Sequence, residues 1–291
     1  MSCSLSFFTV QAISVIIPAL NEADGIGSVL AAIKALPLQA EIIVINDGST
    51  DNTADVARHS GATLVLEHPV PAGYGYSLKA GIAAASNEII VITDADGTYP
   101  VGSIPALVDM LNRGFDMVVG ARFGKAYRGA FLKMPARIIF KLLVEFTTGK
   151  RIPDINSGFR VFRKQDILPF FPDLCNTFSF TTTQTLIYQL TGRFVGYVPV
   201  AYEKRVGRSK VRIVRDALRT MQYIVEVIIR YNPLKLFLLL SIVSFGVSIM
   251  VSPLIGFVAI FCGFLCSMLI FSLGIIAEAL RSLRRVSKSV P

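Results

Sequence analysis

Glu88-Ile89-Ile90-Val91-Ile92-Thr93-Asp94-Ala95-Asp96 is the stretch whose reading decides the fold. Its apolar, largely β-branched run suits a strand buried on both faces, and it stops abruptly at two carboxylates one residue apart. Carboxylates avoid burial unless paired or bound to a cation. The pair is therefore expected just past the strand's end, near a divalent metal or a ligand's hydroxyls. In open α/β sheets that edge is where ligands bind.

Outward from this stretch, β-rich runs near 13–18, 41–46, 63–67, 88–94 and 116–121 alternate with helical stretches near 25–36, 50–60, 76–85 and 103–113. The alternation predicts an α/β fold with a doubly wound, mostly parallel sheet. Ser49 or Thr50 is expected to cap the second helix, with Asp51 and Asp55 near its positive end. After Arg122 the pattern changes. Residues 131–147 are apolar except for Lys133, Arg137, Lys141 and Glu145, one narrow polar stripe, which predicts a helix over about 129–148 lying in a membrane interface. A second amphipathic helix is expected over 206–232, with Arg208, Arg212, Arg215 and Arg219 along one side. Val211, Val214, Leu218, Met221 and Val225 are among its apolar residues. For both helices the alternative is packing on the sheet with a solvated charged face.

The chain is 53% hydrophobic with a mean hydropathy of +0.58, too apolar for an ordinary soluble protein of this length. The excess sits in 234–251 and 254–277, where Lys235 is the sole charge and Ser252-Pro253 the only interruption. Each stretch is about long enough for the roughly 20 residues a helical span needs, the first being marginal, so a two-helix transmembrane hairpin over 233–278 is expected, then a basic tail over 279–291. Arg230 and Lys235 precede the hairpin, and Arg281, Arg284, Arg285 and Lys288 follow it. By the positive-inside rule both termini and a catalytic domain over 1–205 are cytoplasmic. Residues 1–12 lack the basic start and apolar core of a secretory signal. Cys3, Cys175, Cys262 and Cys266 form neither a zinc spacing nor a disulfide framework.

The net charge of +9 conceals a division: 4 basic against 12 acidic residues over 1–120, and 25 against 8 over 121–291. An acidic first half suits a metal and nucleotide hydroxyls. The basic second half, leading into apolar spans, suits anionic lipid or a phosphate-bearing lipid and argues against nucleic acid.

Four segments end at one edge of the expected sheet: Pro18-Ala19-Leu20-Asn21-Glu22, Asn46-Asp47-Gly48-Ser49-Thr50-Asp51, Gly73-Tyr74-Gly75-Tyr76-Ser77-Leu78-Lys79 and Asp94-Ala95-Asp96. Singly they are weak, since Asp-Gly-Ser and Gly-x-Gly are ordinary turn chemistry. In this order and spacing they resemble the nucleotide-sugar-binding half of the inverting family 2 glycosyltransferases of GT-A fold, over roughly residues 13–122. The resemblance implies that Pro18, Asn21, Glu22, Asp47, Gly75, Lys79, Asp94, Ala95 and Asp96 line a nucleotide-sugar pocket. It implies that Asp94 and Asp96 hold Mg²⁺ or Mn²⁺ on the diphosphate, the ion stabilising the departing nucleotide without a proton.

Val118-Val119-Gly120-Ala121-Arg122, Asp154-Ile155-Asn156-Ser157-Gly158-Phe159-Arg160 and Arg205-Val206-Gly207-Arg208-Ser209-Lys210 are similar to segments of polyprenyl-phosphate glycosyltransferases, the dolichyl-phosphate mannose synthase type. That likeness implies a polyprenyl (undecaprenyl or dolichyl) phosphate acceptor, with Arg122, Arg137, Ser157, Arg205 and Lys210 as phosphate contacts. Asp154 joins Asp94 and Asp96 as a candidate catalytic residue, one that could orient the nucleophile or a basic partner. Neither histidine, His59 or His68, is placed like a base, and an ionised phosphate needs none once positioned. The hairpin leaves room for a homo-oligomer.

Two departures stand out. Thr98 occupies the place where mannose synthases often have Gln near the metal. Gln184, in Phe180-Thr181-Thr182-Thr183-Gln184, stands where relatives commonly have an acid. The sugar, and the choice between UDP and GDP, are accordingly left open.

Rival readings are weaker. Asp94-Ala95-Asp96-Gly97-Thr98 also spells the opening motif of haloacid-dehalogenase-type phosphatases, but residues 121–291 carry no matching late acidic pair. A polysaccharide synthase with a non-lipid acceptor shares the donor half, yet such enzymes usually carry Q-x-x-R-W, and this chain has no tryptophan. A catalytically dead scaffold would be expected to have lost Asp47, Asp94 and Asp96.

Overall fold

The computed structural model describes residues 11–124, 134–203 and 213–289. The first half winds as β1 (Ala12–Ala19), α1 (Ala23–Lys34), β2 (Gln39–Asn46), α2 (Thr53–His59), β3 (Leu64–Glu67), α3 (Tyr74–Ala84), β4 (Ile89–Ile92), α4 (Ile104–Asn112) and β5 (Met117–Phe123). It continues through α5 (Met134–Thr148), β6 (Arg160–Arg163), α6 (Phe180–Leu190) and β7 (Val195–Ala201). Three long helices close the described chain: α7 (Ile213–Tyr231), α8 (Pro233–Ile255) and α9 (Phe257–Ser289).

One seven-stranded sheet forms in the order β3-β2-β1-β4-β6-β5-β7. It is parallel except at β6, which runs antiparallel between β4 and β5. The register pairs Ile13 with Ile89 and Ile16 with Ile92, so β1 runs three residues past the end of β4 at the point where the strand order reverses. A ligand crevice is expected there.

Alternation along the strands builds two cores. Ile13, Val15 and Ile17 of β1 pack with Ile26, Leu30 and Ile33 of α1 and Leu107 and Leu111 of α4 on one face. Ile16, Ile43, Ile90 and Ile92 pack with Leu78 and Ile82 of α3 and Leu186 and Ile187 of α6 on the other. Ile224, Val227 and Ile228 of α7 and Leu236 of α8 enter this second core, so the C-terminal half of the basic helix is buried there, packed on α6. Leu218, one of the apolar residues expected to mark its face, is 68% exposed.

Helices α8 and α9 are long and apolar enough to cross a membrane. Met250, Leu254 and Phe257 are at least 79% exposed, which separates the pair from buried core helices. Within the hairpin a Cβ on Gly274 would lie 2.6 Å from Cβ of Phe237, and the Ser241 and Ser267 hydroxyls are 2.7 Å apart, so small residues hold the two helices close. Ser252-Pro253 does not interrupt the first span. The Ser252 hydroxyl donates to Ile249 O at 2.8 Å, α8 continues to Ile255, and Gly256 at φ +89° makes the turn. The segment expected as a tail is helical as far as Ser289. At the other end of α8, Lys235 Nζ and Asn232 Nδ2 donate to Thr147 O at 3.2 and 3.3 Å, tying the hairpin to α5. Helix α5 buries Val144 and exposes Leu142 and Phe146.

Candidate active site

The loops after β1 and β2 are stitched together by the side chains read as caps. Asn21, at φ +49°, donates its backbone N–H to Ser49 Oγ at 2.9 Å and accepts Thr50 N–H on Oδ1 at 2.7 Å. Neither Ser49 nor Thr50 caps α2. Asp51 takes that part, accepting Thr53 N–H at 3.1 Å and Ala23 N–H at 3.3 Å, so one carboxylate serves the starts of both α1 and α2. Burial opposes ionisation of Asp51, but its hydrogen bonds outweigh that and hold its pKa low. Glu22 N–H donates to Thr53 Oγ1 at 2.9 Å, and Pro18 is buried in β1 opposite Ile45.

Asp47 is buried and organises the loop before α3. It accepts Ala72 N–H at 2.8 Å and Gly73 N–H at 2.9 Å, with His68 Nδ1 at 2.8 Å. Gly73 and Gly75 let the chain from Cys175 to Phe178 close over this loop. A Cβ would stand 2.7 Å from Asn176 O at Gly73 and 2.3 Å from Cys175 O at Gly75. Lys79 Nζ donates to Leu174 O at 2.6 Å and Asn176 Oδ1 at 2.7 Å, which makes it the fastener of that contact, and burial lowers its pKa.

The acids of the opening stretch follow β4. Asp94 accepts the Tyr74 hydroxyl on Oδ1 at 3.0 Å. Asp96 is buried and accepts both Thr98 Oγ1, at 2.6 Å, and Thr98 N–H, at 3.1 Å, on Oδ1. Thr98 thus braces the second acid. Burial, and then the Asp94 charge, push the Tyr74 phenol well above its ordinary pKa and keep it a donor. A Cβ on Gly25 would lie 2.8 Å from Ala95 O, so α1 starts directly against the backbone of the pair. The 154–160 loop comes directly against the first acid, where a Cβ on Gly158 would stand 3.1 and 3.2 Å from the Asp94 oxygens.

Among the described residues no group of three or more His, Cys, Asp or Glu side chains could enclose a metal. Two carboxylates one residue apart, with a glycine leaving open the space beside the first, nevertheless fit Mg²⁺ or Mn²⁺. Such an ion takes few protein oxygens and completes its shell with phosphate and water.

The second half is built around a different acid. Asp154 accepts Arg122 Nε at 2.7 Å, Arg122 Nη2 at 2.9 Å and Arg122 N–H at 3.2 Å, and the guanidinium lies 5.5 Å from the Tyr202 ring centroid. Asp154 is therefore a positioner of Arg122. Ser157 is fully buried, donating to Gly120 O at 2.6 Å and accepting Phe159 N–H at 3.3 Å, so its hydroxyl braces the loop from inside. The side chain of Arg137, and all of Arg205 and Lys210, lie outside the described residues.

Sequence reading missed Arg160. It is fully buried, donating to Ser157 O at 3.1 Å, Thr181 O at 2.9 Å and Gln184 Oε1 at 3.2 Å. Burial lowers its pKa to about 10. The amide of Gln184 accepts from the guanidinium at the position where an acid was expected. Thr181 and Thr182 donate to Asn156 Oδ1 at 2.9 and 3.1 Å, completing the union of α6 with the 154–160 loop. The run of polar residues in 181–185 is the signal that could have marked a buried helix bracing a loop.

Strand-end acids at the reversal point of such a sheet are the arrangement expected of a glycosyltransferase of GT-A fold. The profile described as "Glycosyl transferase family 2" matches residues 14–168, more than half of the chain, and the chain belongs to that family. The "Dolichyl-phosphate hexose transferase" of Haloferax volcanii is 31% identical over 210 residues, covering 70% of this chain and 88% of that relative. The "Undecaprenyl-phosphate 4-deoxy-4-formamido-L-arabinose transferase" of Serratia proteamaculans is 32% identical over 60% of this chain and 59% of its own length. Among solved structures, glucosyl-3-phosphoglycerate synthase from Mycobacterium tuberculosis, in complex with Mn²⁺, UDP-glucose and phosphoglyceric acid, matches at TM-score 0.61 and 23% identity. That match covers 75% of this chain and 79% of the synthase. At that identity the likeness carries the fold alone.

Proposed function

We propose that this glycosyltransferase moves one sugar, with inversion, from a UDP- or GDP-sugar to a polyprenyl phosphate on the cytoplasmic face of a membrane. The observation that carries the proposal is the arrangement of the two halves. Asp94 and Asp96 follow β4 at the reversal point of the sheet, the 154–160 loop that carries Asp154 and its partner Arg122 reaches Asp94 through Gly158, and α7 and the start of the hairpin pack into the second core. Relatives named for dolichyl- and undecaprenyl-phosphate transfer support the acceptor class.

Asn21 and Asp47 shape the loops on which the nucleoside would rest. Asp94 and Asp96 would hold Mg²⁺ or Mn²⁺, which when bound offsets charge on the departing diphosphate. Arg122, held by Asp154, presents a planar cation suited to phosphate oxygens, with Arg137, Arg205 and Lys210 as further proposed contacts. The acceptor phosphate arrives ionised, so this chain's part is to orient it toward the anomeric carbon rather than to remove a proton.

The test is full-length protein in detergent with Mg²⁺ or Mn²⁺, a panel of UDP- and GDP-sugars, and polyprenyl phosphate. Transfer to the lipid, abolished by Asp96→Ala, is expected. Transfer only to a soluble acceptor would overturn the lipid claim. Full activity in Asp96→Ala would overturn the assignment of the acids.

A further inference from the structure

Tyr74 belongs to none of the roles assigned above, yet it touches the first acid of the pair. It opens α3, and its hydroxyl donates to Asp94 Oδ1 at 3.0 Å. Its ring stacks on Phe178, with centroids 5.6 Å apart and planes at 21°. Phe178 comes from the segment that Lys79 fastens to α3. Gly158 packs against both groups, since a Cβ there would lie 2.9 Å from the Tyr74 hydroxyl oxygen and 3.1 Å from Asp94 Oδ1. Gly158 is itself fixed, its N–H donating to the Tyr99 hydroxyl at 2.8 Å.

An aspartate carboxylate turns easily about its last torsion, which is broad and roughly two-fold. A donor fixed on one oxygen removes that freedom before any ligand arrives. A neutral phenol does this without cancelling the negative charge, as a guanidinium would. We propose that Tyr74 is a positioning residue that sets the plane of the Asp94 carboxylate for the metal–diphosphate group of the donor, with Phe178 holding the phenol in place. This rests on the reading of Asp94 as a metal-facing acid. Groups one step behind a ligand typically account for 10- to 100-fold in metal affinity.

The experiment is a titration of the full-length protein with Mn²⁺ in the presence of UDP, and separately GDP, following free Mn²⁺ by electron paramagnetic resonance. Tyr74→Phe keeps the ring and the stack and removes the hydroxyl. It is expected to weaken Mn²⁺ binding about tenfold, to raise the metal concentration for half-maximal transfer in step, and to leave kcat at saturating metal and the melting temperature near wild type. Phe178→Leu, which keeps the hydroxyl and loosens the ring, is expected to give a smaller shift in the same direction. Unchanged Mn²⁺ affinity in both variants, beside a clear loss in Asp94→Asn, overturns the proposal and leaves the metal reading standing. Equal Mn²⁺ binding by wild type and Asp94→Asn overturns the metal reading and this proposal together.

Discussion

The loops after β4 and the loop before β6 both carry acids at the edge of one sheet, and they treat those acids in opposite ways. Asp94 and Asp96 receive hydroxyls, from Tyr74 and Thr98, which orient a carboxylate and leave its charge in place. Asp154 receives a two-pronged guanidinium from Arg122, which neutralises it. The hydroxyl-braced acids suit a site whose ligand brings positive charge. The guanidinium-braced acid suits a site whose ligand brings negative charge, because the acid then serves to aim the arginine.

The largest effect should come from deleting one of the hydroxyl-braced acids. Asp96→Ala is expected to lower transfer by about 10³-fold or more, measured with radiolabelled donor, as befits loss of a group that stabilises leaving-group charge. A variant within tenfold of wild type would erase the distinction between the two loops.

Next in size is Asp154→Asn, which leaves a mostly buried Arg122 beside a neutral amide. Stability should fall by about 3 kcal/mol, read from thermal or denaturant unfolding in detergent. Adding Arg122→Gln to that variant should recover part of the loss, since the pair is coupled. An unchanged Asp154→Asn would show that the guanidinium does not depend on its acid.

Thr98→Val sharpens the other side of the comparison. It removes the hydroxyl donor to Asp96 and keeps the backbone one, so the metal requirement for half-maximal activity should rise roughly tenfold with a near-normal maximal rate. A lowered maximal rate at saturating metal would assign Thr98 a role beyond holding the acid.

The smallest effect concerns Glu41, an acid braced by hydroxyls away from the crevice. Burial raises its pKa, but the hydroxyl of Ser14 and the hydroxyl and N–H of Ser86 outweigh this and leave it depressed. A folded-state pKa below the unfolded one stabilises the fold at neutral pH, and that contribution disappears as the pH falls through the depressed value. Glu41→Gln should therefore flatten the acid limb of the stability profile and leave the metal dependence of transfer unchanged. A shift in metal dependence would mean that acid bracing is not local to each site.

Much of the first half was legible because its signals are local. Apolar runs of strand length, separated by helical stretches and ended by Asn21, Asp47 or Asp94, mark strands whose tips converge. The unread parts depend on distant partners. Strand β6 spans only Arg160–Arg163, with an arginine at each end disguising a buried strand that is held by pairing with both β4 and β5. Tyr74, Gly25 and Gly158 look like ordinary helix and turn residues until α3, α1 and the 154–160 loop are set against Asp94 and Ala95. Ser49 and Thr50 show the converse. Their cap chemistry was real, but a neighbouring loop supplied Asn21 as a better-placed partner.

Periodicity, the acids at the strand tips, the uneven charge and the apolar C-terminal stretches can all be read along the chain, since each depends on residues within a turn or a strand of one another. These properties determined the α/β class, the strand-tip acids and the apolar helical hairpin. Which acid is braced by a guanidinium, and which hydroxyl orients which carboxylate, was decided only by the tertiary structure. Arg122 and Asp154 are 32 positions apart, and Tyr74 and Asp94 are 20. Contacts of that kind form when the packing of α3, β5 and the 154–160 loop removes water, so that polar groups must find their partners within the protein.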